Sequence, residues 1–427
     1  MAARLRAGAH TAPARCAVRR AQAMYDAIVI GARCAGASTA MLLARAGLDV
    51  PLVDRAALPS DLAHGHFVHR HGPARLAKWG LLDRVLATNC PPVTSMTADF
   101  GDFPLAGHDL AADGLPLGIA PRRDRLDAVL LEAAVQAGVE LRDRFAVLEI
   151  IRDGDRVTGV KGRDARSGVH ATEHARVVIG ADGRNSLLAR SVGAELSASA
   201  PTATCWYFSY WSGVACPGLE LYGRGDRVIF AFPTNDDLVG LFVGFAIGDL
   251  ARVRSKPEDA VLESSDAIEG LGDRVRGGRR EERIYGATQL PNFLRTPHGP
   301  GWALVGDAGC HKDPFMALGI CDALRDAELL SEALIEALAD GGAAEESLAG
   351  YARRRDAATL PDYELNLAMA RFEPLPERQL RLRAALRGDQ AATDHFFLAT
   401  QGMVDPPTFF NDENIGRIMA GAAGMSG

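Results

Sequence analysis

The stretch YDAIVIGARCAGAS, residues 25–38, has the make-up of a phosphate-binding turn. Gly31 and Gly36 stand where a G-x-G-x-x-G fingerprint has its first and third glycines, and Arg33 takes the second place. That second glycine ordinarily lets bare backbone approach a pyrophosphate. With its side chain turned outward, Arg33 leaves the approach open and offers a guanidinium to a phosphate oxygen. The pyrophosphate would rest on the amides at Ala35–Gly36, where unpaired N–H groups and the helix dipole favour an anion. Asp54 follows about 20 residues beyond the turn, the spacing of an acid that hydrogen-bonds ribose hydroxyls. Together these residues predict a bound dinucleotide; the alternative is a glycine pair that only packs helix on strand.

A second stretch, HGHFVHRHG (64–72), holds His64, His66, His69 and His71. No acid or cysteine cluster accompanies them, so no metal site is expected. By themselves they read as loop histidines, exposed or bonded to backbone. No Ser-His-Asp or paired-carboxylate constellation stands out.

The elements that position these residues follow from pattern. DAIVI (26–30) reads as a strand, followed by a helix ending at Gly47 and a second strand, DVPLVD (49–54). This is a βαβ unit of about 30 residues. Pro51 must sit at a bulge or where the ladder needs no donor. A helix is expected to start near Pro73, and another to be capped by Asp124 and stopped by Gly138. Short strands run from 141 to 163 with an Asp-Gly turn at 153–154, and another covers 175–183. Longer strands at 202–213, 226–233 and 238–248 suggest an antiparallel sheet rich in aromatics, among them Trp206, Tyr207, Phe208, Tyr210 and Trp211. The strand GWALVGDAG (301–309) returns to the first domain and leads into a helix over 321–339. Beyond about 345 only helices are expected.

The 427 residues suffice for two or three domains. A net charge of −7, with acids beside the arginines of RRDR (122–125) and RGGRREER (276–283), argues against a nucleic-acid partner. Seven scattered cysteines without C-x-x-C exclude a disulfide framework and point to a reducing, cytoplasmic setting. No apolar run reaches the ~18–20 residues of a membrane span. Residues 1–23, rich in Ala and Arg and free of acids, superficially resemble a transit peptide; with Met24 directly before the first strand, a disordered extension is the reading preferred.

VVIGADGRNSLLAR (177–190) and WALVGDAGCHKDPFMALGICDALRDA (302–327) resemble the DG and GD motifs of flavoprotein monooxygenases with the para-hydroxybenzoate hydroxylase fold. The glycine turn and Arg123, in R-x-x-L-D, complete four motifs in order over roughly residues 24–345. The resemblance implies an α/β fold: a discontinuous Rossmann-like FAD-binding domain (24–95, 121–190 and 291–345), an inserted antiparallel-sheet substrate domain (96–120 and 191–290) and a C-terminal helical segment (346–427). It implies FAD as the held cofactor, with NAD(P)H as transient reductant. By the same resemblance Asp307 bonds the ribityl chain, Arg123 reaches the pyrophosphate or ribityl region, Val147 offers backbone to the adenine, and Asp182 lies near the pyrophosphate groove. Gly319–Ile320 opens a helix whose positive end stabilises reduced-flavin charge. The histidine stretch matches the mobile flavin-loop region by position, which would bring His66 or His69 to the isoalloxazine or substrate.

Two departures, Ala189 with Arg190 in the DG motif and Cys310 followed by His311 in the GD motif, weaken inference about how NAD(P)H meets the flavin. The implied activity is oxygen transfer from a flavin C4a-hydroperoxide to a lipophilic or aromatic small molecule, by hydroxylation or epoxidation. A separate reductase is an alternative source of electrons. The runner-up is an alkene reductase similar to geranylgeranyl reductases, whose Y-x-W-x-F-P motif survives only as Val228-x-Phe230-x-Phe232-Pro233. A halogenase lacks its W-x-W-x-I-P motif here. A prenyl-protein escort protein would have no use for the FAD motifs.

Overall fold

A computed structural model describes residues 24–58, 64–339 and 344–424; the expected extension at 1–23 lies outside the described residues. Five parallel strands form the first sheet in the order Glu140–Arg142, Pro51–Val53, Tyr25–Ile30, His170–Gly180, Trp302–Leu304. Alternation along these strands divides the core. Ala27, Val29, Val177 and Ile179 face the helices Cys34–Arg45, Arg123–Gln136 and Gly319–Ala339. Ile28, Ile30 and Val178 face the other way, onto a meander made by Phe145–Asp153, Arg156–Asp164 and the start of His170–Gly180. Pro51 opens its strand, a place where proline is tolerated.

Several boundaries differ from expectation. The helix expected from Pro73 starts at His71 and stops at Trp79, because Gly80 turns left-handed (φ 75°); Leu82–Leu86 is a separate short helix. Asp124 is not a cap: Arg122 holds that position without a side-chain bond, and Asp124 sits in the first turn. The helix expected from 321 begins at Gly319.

The second sheet runs Arg279–Arg280, Thr204–Ser212, Val239–Ala246, Arg227–Pro233, Leu219–Arg224, Met96–Asp99, Pro104–Gly107. Its two faces are both buried. Cys205, Tyr207, Trp211, Ile229 and Val243 pack on the helices Leu250–Ser255, Pro257–Asp266 and Leu271–Gly277. Trp206, Phe208, Tyr210, Val228, Phe232 and Phe242 face a third cluster, shared with Phe67, Phe315 and the C-terminal helices. Those helices are Ala344–Met369, Glu377–Leu386, Gln390–Thr400 and Asp412–Gly424. The chain returns from the second sheet to the first, so the first domain is interrupted by the aromatic one.

Candidate cofactor and substrate site

The glycine turn lies at the carboxyl ends of the parallel strands. Gly31 adopts φ 100°, and a Cβ there would stand 2.4 Å from the Ala181 carbonyl oxygen. A Cβ on Gly36 would stand 1.8 Å from the Gly31 carbonyl oxygen. Both glycines are therefore demanded by close backbone approach, and the approach brings the Ala181–Asp182 backbone against the turn. Asp54, at the end of its strand, accepts from Ala32 N–H (2.8 Å) and Ala56 N–H (2.8 Å). Val147 stands two residues beyond Phe145, whose N–H donates to the Asp54 carbonyl at 2.8 Å. The tertiary structure thus sets Gly31 against Asp182 and ties both the turn, through Ala32, and the Phe145 strand to Asp54.

Arg33 lies at the cap of the helix Cys34–Arg45, and its guanidinium is tied to Asp127, the acid that closes the R-x-x-L-D motif of Arg123. Asp127 accepts from Arg33 Nη1 (3.2 Å) and from Arg123 Nη2 (3.1 and 3.2 Å). The Cys34 thiol, pushed up to about 12 by burial, stays protonated and also donates to Asp127, at 3.3 Å. One carboxylate thus sits between two guanidiniums beneath the helix start. Asp307, in the turn Gly306–Ala308, stands exposed, close enough to Arg123 for its charge to be felt there.

The residues fit FAD on grounds visible in the fold. Arg123 Nε and Asp182 Oδ1 are buried polar atoms without a hydrogen-bond partner among the described residues. Burial raises the Asp182 carboxyl above the usual carboxylate range, although its other oxygen accepts from Leu187 N–H at 2.6 Å. Gly319, exposed at the start of a 21-residue helix, has open space where a side chain would project. Ile320 behind it is buried in the helix–sheet core.

The histidine stretch is tied down on both sides. His66 is 1% exposed; its Nδ1–H donates to the Ala120 carbonyl (3.1 Å), which leaves Nε2 to accept from the Tyr210 hydroxyl (3.0 Å). The same carbonyl accepts from Thr234, and Asn235 accepts from Arg122 N–H, so two domains meet at this seam. The Arg122 guanidinium lies 3.8 Å over the Tyr210 ring. His69 Nε2–H donates to the Met316 carbonyl at 3.1 Å. Among the described residues no group of His, Cys, Asp and Glu could hold a metal ion.

Burial first, then Arg122, pushes His66 down to about 3, whereas in the unfolded chain it titrates near 6.5. The unfolded state therefore holds an extra proton between these values. This stability is full above pH 6.5 and is lost as pH falls toward 3, at up to about 1.4 kcal/mol per pH unit. His66→Gln keeps a donor and an acceptor but cannot titrate. We expect it to flatten the acid limb of unfolding free energy by about one proton between pH 4 and 6, read from denaturant melts. An unchanged slope would refute the neutral assignment.

Residues 24–236, about half of the chain, match the FAD binding domain family. The chain belongs to the FAD-dependent oxidoreductases that carry this domain, with FAD as cofactor. Among curated relatives, the probable electron transfer flavoprotein-quinone oxidoreductase YdiS of Escherichia coli is 27% identical over 77% of this chain and 80% of its own length. The digeranylgeranylglycerophospholipid reductase of Methanosarcina acetivorans is 25% identical over 81% and 83%. The tryptophan 2-halogenase of Chondromyces crocatus is 25% identical over 74% of this chain, which spans 61% of that protein. Among solved structures, PqsL of P. aeruginosa in complex with 2-aminobenzoylacetate shares the fold at TM-score 0.71 and 21% identity, covering 82% of this chain and 96% of that one.

Proposed function

We propose that this protein is an FAD-dependent monooxygenase that uses NAD(P)H and oxygen to hydroxylate or epoxidise a lipophilic or aromatic small molecule. One observation carries the reading: a continuous aromatic face beside the cofactor elements. Trp206, Phe208, Tyr210, Phe232 and Phe242 line one side of the second sheet, with Phe67 from the histidine loop and Phe315 from the turn before Gly319 in the same cluster. Phe208 and Phe242 stack with centroids 4.4 Å apart, and Phe232 stacks on Phe242 at 5.1 Å. Such a wall recognises flat or greasy molecules and keeps water away from a reactive centre.

FAD, when bound, supplies the redox chemistry and the activation of oxygen. The chain's own residues hold and orient. In this reading Gly31, Ala35 and Gly36 cradle the pyrophosphate, and the Arg33–Asp127–Arg123 group balances its charge. Asp54 and Val147 border the adenosine end, and Asp182 lies near the pyrophosphate groove. Asp307 holds the ribityl chain, and Gly319–Ile320 presents a helix N-terminus to the ring. Tyr210, bonded to His66, is the polar group in the aromatic wall and orients a substrate oxygen. The relatives support this substrate class, since their names give tryptophan, a prenyl glycerophospholipid and 2-aminobenzoylacetate. All six described cysteines are unpaired. No helix is long and apolar enough to cross a membrane, among the described residues.

Alkene reduction is the second reading, favoured by the reductase relatives. Against it, Val228 and Phe230 replace the tyrosine and tryptophan of the reductase motif, and neither can hydrogen-bond. Val228 is fully buried, and Phe230 stacks on Trp206 at 5.9 Å. Labelled oxygen gas separates the two. We expect product carrying one oxygen atom from the gas and no turnover without oxygen; anaerobic turnover to a saturated product would overturn the proposal.

A further inference from the structure

We infer that Asn366, on the C-terminal helix Ala344–Met369, is a positioning residue for the flavin ring. The inference rests on the placement of that ring at Gly319–Ile320 proposed above. The segment leading into that helix start is a one-turn 3-10 helix, Pro314–Met316, followed by Ala317 in the left-handed region (φ 51°, ψ 34°). A non-glycine residue there costs free energy and relaxes unless its neighbours hold it.

Four outside elements hold it. Asn366 spans the turn with both ends of its amide: Nδ2–H donates to the Asp313 carbonyl (2.9 Å), and Oδ1 accepts from Met316 N–H (3.0 Å). Asn292 accepts from Asp313 N–H (2.6 Å), and His69 donates to the Met316 carbonyl (3.1 Å). The Asp313 side chain accepts from the Thr204 hydroxyl (2.6 Å), to which Trp206 Nε1–H donates in turn. Asn366 is 1% exposed, so its two bonds have no water to replace them.

What the clamp aims is the unpaired N–H groups of residues just beyond Ala317. They open a 21-residue helix at exposed Gly319, where the positive end of the dipole is strongest within the first turn. A helix end favours the extra negative charge of reduced flavin only if its N–H groups keep their aim. Asn366 lies outside the residues matched to the FAD binding domain, so this clamp is supplied by the C-terminal segment.

The test uses the full chain loaded with FAD and compares Asn366→Leu with Thr393→Val. Thr393 lies in the same C-terminal segment, is comparably buried, and donates to the Leu386 carbonyl (3.0 Å). Both variants are expected to lower Tm. Asn366→Leu alone should make the flavin midpoint potential more negative, by about 30 mV for a roughly tenfold loss of preference for the reduced form, and should move the flavin absorbance band. If Asn366→Leu does not fold, Asn366→Ala, which removes both bonds and adds no charge, is read by the same criterion. Unchanged potential and spectrum at reduced Tm would overturn the inference.

Gly319→Val tells the two ideas apart, because its side chain enters open space. If it shifts the flavin while Asn366→Leu does not, the clamp falls and the ring placement stands. If neither shifts it, the placement falls and takes the inference with it.

Discussion

Gly36→Ala is expected to yield protein without flavin and with a sharply lowered Tm. The added methyl would lie 1.8 Å from the Gly31 carbonyl oxygen and 3.0 Å from Ala181 Cβ. The first contact is with backbone, so no rotamer change relieves it; the helix must lift off the strand. Overpacking a core costs typically ~1–3 kcal/mol, and contact with rigid backbone falls at the upper end or beyond. The same displacement opens the amides on which the pyrophosphate would rest. Gly225→Ala serves as the control, since a Cβ there meets nothing within 4 Å and the residue does not require a left-handed backbone. Flavin absorbance of the purified proteins, together with thermal melts, checks the pair. Retained flavin and an unchanged melt in Gly36→Ala would mean that the turn does not make the close approach described.

Asp307→Ala should act differently: flavin affinity falls, while the fold is spared. The side chain is exposed on the turn Gly306–Ala308, so removing it creates neither a cavity nor a buried orphan. What is lost is a charge-assisted hydrogen bond to a ribityl hydroxyl, worth about 1.5–3 kcal/mol. That corresponds to a rise of roughly 10- to 150-fold in the FAD Kd. Asp307→Asn keeps an acceptor and should lose less. FAD titration of the apoprotein, with melts of the flavin-free variants as reference, reads both effects. Full affinity in Asp307→Ala would make the assignment of the GD motif wrong, whatever the fold.

The contrast between the two variants reflects where each residue acts. Gly36 works through backbone contact inside the domain, and Asp307 through a ligand. Arg33 lies between these cases. Its sequence position suggested a guanidinium offered outward to phosphate, and the structure has its Nη1 bonded to Asp127, which Arg123 shares. The positive charge is still beside the turn, held in place by a residue from another helix.

Much of the architecture was legible in the sequence because its signals are local. The apolar run DAIVI marked a strand, though only the packing showed that Ala27 and Val29 face one side and Ile28 and Ile30 the other, and the glycine spacing marked a turn that only bare backbone can make. The order of the DG and GD motifs anticipated a first domain interrupted by an aromatic sheet, as the pairing of Val178 with Trp302 requires. Helix starts were less legible: Asp124 has the chemistry of a cap, yet the chain direction at Arg122 decides where the first turn begins.

Tertiary structure alone decided the partners. Asp127 meets Arg33 across 94 positions, Asn366 meets Met316 across 50, and Tyr210 meets His66 across 144. Each of these is a bond between polar side chains or backbone groups far apart in the chain, so it leaves no period in the sequence for pattern reading to find. The sequence determined that a dinucleotide turn, an aromatic sheet and a helical tail would exist. Only the packing of the three against one another determined that His66 is locked neutral under the sheet and that the tail reaches the turn before Gly319, because burial forces each polar group to take the partner the fold brings near.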